Sequence, residues 1–172
     1  MTIGPIQGTS VHVGDRDHRR LRLYRGALRG SASRRPGATL VLDIRQRRGV
    51  RGSEYAWANA RRLQASLAEA GIEYRHHKEL APTTEMRRLQ YREDARLGVG
   101  QRSRAALAPE FADRYKREVL DRADLERIVL ELPERGLAAL LCVERDPEAC
   151  HRSLIAERLA ADHGLRVRHL RP

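Results

Sequence analysis

Two nearly continuous apolar runs, Leu40-Val41-Leu42-Asp43-Ile44 and Leu137-Ala138-Ala139-Leu140-Leu141-Cys142-Val143, constrain the fold of this chain more than any other feature. Successive side chains of a strand point to opposite faces, so an apolar run without polar alternation needs cover on both sides. A parallel sheet flanked by helices supplies that cover. After the first run the period changes. Ala56, Trp57, Ala60, Leu63, Leu67 and Ala70 recur with helical spacing, Ser53 is placed to cap the segment and Gly71 to stop it. Ile72 to His76 follows as a short strand, completing a βαβ unit.

Further along, Pro109 can open a helix through Phe111, Tyr115, Val119 and Leu120. A second helix through Leu125, Ile128, Val129 and Leu132 ends at Pro133. The second apolar run breaks into the polar turn Glu144 to Arg152, then into a helix from Ser153 to His163 and a last strand from Leu165 to Leu170. Strands alternating with helices predict an α/β fold, a single domain with a mainly parallel central sheet of about four or five strands. Residues 1–37 hold a short alternating run, Arg20 to Tyr24, and a Gly-, Ser- and Arg-rich stretch, Gly26 to Gly37. They read as an N-terminal strand and flexible loop ahead of a domain at 38–172. Glu79 to Gly100, rich in Arg, Glu and Gln, reads as a solvated helix or partly mobile flap rather than a binding lid.

The net charge of +11 favours an anionic partner, either nucleic acid or an anionic small molecule. Lys78 and Lys116 are the only lysines, so the excess is arginine, a bias that GC-rich coding also produces. Aromatic residues do not interleave with the basic ones as a stacking platform for single strands requires. No segment approaches the roughly 18 apolar residues of a membrane span, and no basic-then-apolar leader opens the chain. The expected location is cytoplasmic, with no membrane partner, no cofactor, and Cys142 and Cys150 as reduced thiols.

The candidate site is the turn after the second run. It brings Cys150, His151 and Arg152 to the carboxyl end of a strand and the start of a helix, where backbone N–H groups and the helix dipole favour anions and thiolates. Cys150, His151 and Glu144 are the candidate catalytic residues, with the thiol as nucleophile and Glu144 or a histidine handling protons. Asp43, Arg45, Tyr74, His76, Arg145 and Arg152 are the candidate substrate-binding residues, since ligands of parallel sheets sit beyond the carboxyl ends of strands. An ion pair closing the strand end is an equal alternative for Asp43 and Arg45. Alternation sends His76 and His77 to opposite faces, so at most one of them can point at the site. Cys142, inside the apolar run, reads as a small core residue.

At these positions the chain resembles the DUF488 family. The resemblance is carried by Leu140-Leu-Cys142-Val-Glu144-Arg-Asp-Pro147-Glu-Ala-Cys150-His151-Arg152, with Leu42-Asp43-Ile44-Arg45 and Gly71-Ile-Glu-Tyr74. It implies an α/β domain with a polar pocket. The chain departs from the family pattern after Arg45, where Gln46-Arg47-Arg48-Gly49 replaces the usual proline and serine, and at Leu80-Ala81-Pro82, which stands where Leu-Gly-Gly is usual.

Three chemistries compete. A cysteine-dependent transferase or hydrolase acting on a phosphate- or carboxylate-bearing molecule leads, although the spacing is not that of a phosphatase loop. A nucleic-acid-binding module without turnover is the alternative. A metal site built from Cys142, Cys150 and His151, with or without His76, is disfavoured by the wide spacing of the two cysteines and the expected burial of Cys142 below the turn.

Overall fold

The computed structural model describes residues 9–14, 38–49, 53–101, 103–134, 136–144 and 146–169. Five strands, β1 (Thr9–Gly14), β2 (Ala38–Asp43), β3 (Glu73–His76), β4 (Gly136–Leu141) and β5 (Arg166–His169), form a parallel sheet in the order β3-β2-β4-β1-β5. This is the α/β architecture that the apolar runs demand. Leu40, Leu42, Ala138 and Leu140 enter the core on one face of the sheet, and Val41, Ala139 and Leu141 enter the core on the other. Both faces are covered, so neither run needs polar alternation. Each buried Leu among them contributes roughly 1.5–3 kcal/mol of apolar burial.

β1 has only two apolar residues in Thr-Ser-Val-His-Val-Gly and carries almost no strand signal of its own. It exists because β4 and β5 each offer it a pairing edge, with Val11 opposite Ala138 on one side and Val167 on the other. The expected strand at Arg20 to Tyr24 and the loop that follows it lie outside the described residues.

The helices fall on the two sheet faces. α1 (Ala60–Glu69) packs Leu63 and Leu67 with Trp57 against the Val41 face. It does not run unbroken from Ser53: residues Ser53–Ala58 form a separate 3₁₀ turn, and Asn59, in extended conformation, precedes the α-helix. The break has a physical reason, since the Ala58 carbonyl is turned to accept a hydrogen bond from the Arg45 guanidinium at 2.8 Å.

On the opposite face lie α2 (Thr84–Arg96) and α3 (Pro109–Tyr115), the latter continuing as a π-helical turn at Lys116–Leu120. They are joined there by α4 (Leu125–Leu130) and α5 (His151–His163). α2 is not a solvated flap. Thr83 caps it by accepting from the Met86 amide, Met86 and Leu89 are buried in the core, and Gln90 and Asp94 are buried with them. Gly164, at φ 65°, ends α5 in the left-handed conformation that glycine adopts without a Cβ penalty.

The chain leaves β2 toward β3 on one side and leaves β4 toward β5 on the other, yet β2 and β4 are neighbours with Asp43 opposite Leu141. Their carboxyl ends therefore flank a topological switch point, the place where parallel sheets open a crevice.

Candidate functional site

The β2 side of the crevice is a buried ion pair. Arg45 grips Asp43 with Nε–Oδ1 at 2.7 Å and a second guanidinium nitrogen on Oδ2 at 2.6 Å, and the Arg45 amide also donates to Oδ1. Tyr74, brought alongside by the β2–β3 register, donates its hydroxyl to Oδ2 at 2.6 Å. Burial pushes the Asp43 carboxyl up, but the Arg45 bonds and charge, helped by Tyr74, outweigh it and hold it below the usual carboxylate range. Burial likewise raises the Tyr74 phenol, keeping it protonated as a donor. The backbone beyond the pair is used too. The Arg45 carbonyl is 2.8 Å from His76 Nε2, and the Ile44 carbonyl is 3.4 Å from His151 Nε2.

On the β4 side, Cys142 directly follows the strand and Cys150 precedes the first turn of α5. The 3₁₀ turn Pro147–Ala149, closed by the Cys150 amide on the Pro147 carbonyl, folds the intervening loop back on itself. Each thiol sulfur consequently lies 3.8 Å from His151 Nδ1, and the three side-chain atoms are all within 4.8 Å of one another. Glu144 Oε2 lies 3.4 Å from Cys142 Sγ and 4.0 Å from Cys150 Sγ. Its other oxygen accepts from Gln101 at 2.7 Å and faces Arg104 at 3.9 Å. The hydrogen bond with Cys150, and then burial, push the Cys142 thiol well up, so it is held protonated. The His151 ring is steadied by an edge contact from Tyr115 at 5.4 Å, whose hydroxyl is anchored on the Leu80 carbonyl at 2.6 Å.

These groups form the floor of a cavity of about 210 Å³. Arg45, Arg47, Arg87 and Arg104 contribute to its wall, with Gln90, Tyr91 and Phe111 from the helical side. Arg104 is itself buried and tied to Asp94, with Nε–Oδ1 at 2.9 Å; Gln90 bonds the same carboxylate and accepts from the Ala108 amide. This network sets the helical wall in place.

Of the residues singled out from sequence, Cys150, His151, Glu144 and Arg45 line the cavity. Asp43 and Tyr74 stand behind Arg45 and hold it. His76 faces a different depression with His77, Glu79 and Glu131. Arg152 is fully buried beneath the turn, donating to the Glu144 carbonyl, and Arg145 lies outside the described residues. Cys142 belongs to the core and to the cavity floor at once. Gln90, Gln101, Arg87 and Arg104 reach the cavity from a polar segment with no motif. The one local signal was the i, i+4 pair Gln90 and Asp94, two polar residues on the buried side of a helix.

The molecule is thus an α/β domain with a polar, thiol-bearing cavity at a switch point. The chain matches the family model described as "Domain of unknown function DUF488" over residues 27–159, and it belongs to that family. No curated protein and no solved structure matches it. Among the described residues no helix is long and apolar enough to cross a membrane.

Proposed function

We propose that the protein is an enzyme that takes an anionic small molecule, bearing phosphate or carboxylate, into the β2–β4 cavity and acts on it through chemistry that depends on Cys150. The observation that carries this is the convergence of both thiols, His151 and Glu144 on one cavity floor beneath an arginine-bearing wall. A thiol beside an imidazole and a carboxylate has the partners that thiol chemistry requires. His151 and Glu144 are placed to accept and return protons. The exposed Arg47 and half-buried Arg87 are the groups offered to the anion, because Arg45 and Arg104 are engaged by Asp43 and Asp94.

A nucleic-acid-binding module is supported only by net charge. Many of the described arginines are paired on the surface instead, as Arg96 with Glu93, Arg114 with Glu118 and Arg158 with Asp121. A cavity of about 210 Å³ also suits a small molecule better than a strand.

Calorimetric titration with inorganic phosphate and small phosphate or carboxylate esters tests the proposal. Arg47→Gln combined with Arg87→Gln should weaken binding about tenfold or more, a difference of about 1.4 kcal/mol. The control pair Arg61→Gln and Arg62→Gln, exposed on α1, should leave it unchanged. Cys150→Ser should still bind but not turn over any ester that the wild type consumes. Equal weakening by the two arginine pairs, together with binding of an oligonucleotide at the same salt, would replace the enzyme with a charge-driven nucleic-acid binder.

A further inference from the structure

We infer that Cys142, Cys150 and His151 form a binding site for a thiophilic divalent cation, with Zn²⁺ the best match, whose fourth position faces the cavity beside Glu144. The inference rests on the proposed function only for the anion that would meet the metal; with the metal bound, Cys150 and His151 serve as ligands, the dependence on Cys150 acts through the metal, and Glu144 is the group left to handle protons.

Geometry comes first. Four-coordinate zinc with Zn–S of about 2.3 Å and Zn–N of about 2.0 Å requires sulfur-to-nitrogen separations of about 3.5 Å and sulfur-to-sulfur separations of about 3.8 Å. Both sulfurs stand 3.8 Å from Nδ1, and the three ligand atoms are mutually within 4.8 Å, so small side-chain rotations close the site. The histidine is oriented for the task. Its Nε2 lies 3.4 Å from the Ile44 carbonyl, which can only accept, so a proton on Nε2 satisfies that contact and leaves Nδ1 for the metal, the arrangement that metal-ligating histidines share. Tyr115 packs edge-on against the same ring.

Charge and access point the same way. Two buried thiolates would be costly alone, but with a divalent cation and a neutral imidazole the set sums to zero. Loading therefore releases protons from the ligand set to solvent. Three protein ligands and an open side are the pattern of zinc sites that do chemistry, as opposed to closed structural ones. Glu144 Oε2, at 3.4 and 4.0 Å from the sulfurs, is next to that open side, and Gln101 holds the other carboxylate oxygen. The wide sequence gap between the cysteines is no obstacle, because the Pro147–Ala149 turn brings Cys150 back over the end of β4.

The test uses the whole chain, stripped by a chelator and titrated with Zn²⁺ against a chromophoric competitor, then with Co²⁺. One metal ion per chain, proton release on loading, and a sulfur-to-cobalt charge-transfer band with the intense visible bands of four-coordinate Co²⁺ are expected. X-ray absorption of the zinc form should fit two sulfurs near about 2.3 Å and one nitrogen near about 2.0 Å. Cys142→Ser and Cys150→Ser should each weaken Zn²⁺ by more than the roughly 10–100-fold that loss of an outer-shell partner costs, whereas Glu144→Gln should stay within that range. If either serine variant fails to fold, the wild-type cobalt spectrum decides alone. Absence of the sulfur band, or unchanged Zn²⁺ affinity in the Cys142→Ser, Cys150→Ser double variant, overturns the metal site. Phosphate titrated into the metal-free protein reports separately on the anion cavity, so failure of one assignment is distinguishable from failure of the other.

Discussion

Replacing Asp43 by asparagine removes one charge from a pair that is almost wholly out of water, Asp43 being 0% exposed and Arg45 3%. The Arg45 guanidinium would keep the Ala58 carbonyl but lose both carboxylate contacts, at 2.6 and 2.7 Å, and would face an amide. Breaking a buried pair by deleting one partner costs about 3–5 kcal/mol, because the remaining charge stays buried. At about 2–4 °C per kcal/mol for a chain of this size, the midpoint of thermal unfolding should fall by roughly 6–20 °C. Urea unfolding followed by far-ultraviolet circular dichroism measures the loss directly. Asp43→Leu with Arg45→Met removes both charges and should cost less than Asp43→Asn alone. The acid limb of stability should change as well. Asp43 titrates below its unfolded value, so its contribution is full above about pH 4 and is lost as pH falls through the folded value. Asp43→Asn should therefore flatten stability against pH in that acidic window. A loss under about 1 kcal/mol, the range of exposed pairs, would mean that solvent reaches the network and that the account of how the β2 end is held is wrong.

Two further outcomes are expected. In metal-free protein near neutral pH, a small alkylating reagent should modify Cys150 before Cys142, since the Cys142 thiol is held protonated by its bond to Cys150 and by burial; peptide mapping that finds Cys142 labelled first or equally would refute this. Tyr115→Phe should cost about 1–3 kcal/mol by leaving the buried Leu80 carbonyl without its 2.6 Å donor, and a denaturation midpoint equal to wild type would show that the carbonyl finds water instead.

Features that depend on near neighbours along the chain were legible before any fold was known. The runs at Leu40 and Leu137 specified strands covered on both faces, and helical spacing from Ala56 and from Ser153 specified what packs on them, although the first of these helices begins only at Ala60. Glu144, Cys150 and His151 could be grouped because they share one short turn after β4, and Asp43 with Arg45 could be read as a pair because strand geometry puts i and i+2 on the same face.

Tertiary structure decided the rest. β1 is a strand only because two edges were left for it, and its own residues are too polar to announce it. α2 looked solvated because its composition is polar, yet Gln90, Asp94 and Arg104 satisfy one another in the interior, a condition that composition cannot express. Cys142 read as core and is core, but whether a core thiol also meets a cavity depends on where a neighbouring loop folds back. The Pro147–Ala149 turn brings Cys150 and His151 over the end of β4, and β2 beside β4 supplies the Ile44 carbonyl that orients the imidazole. Those contacts join residues as far apart as 44 and 151, and no local pattern encodes them because packing alone brings the two strand ends together.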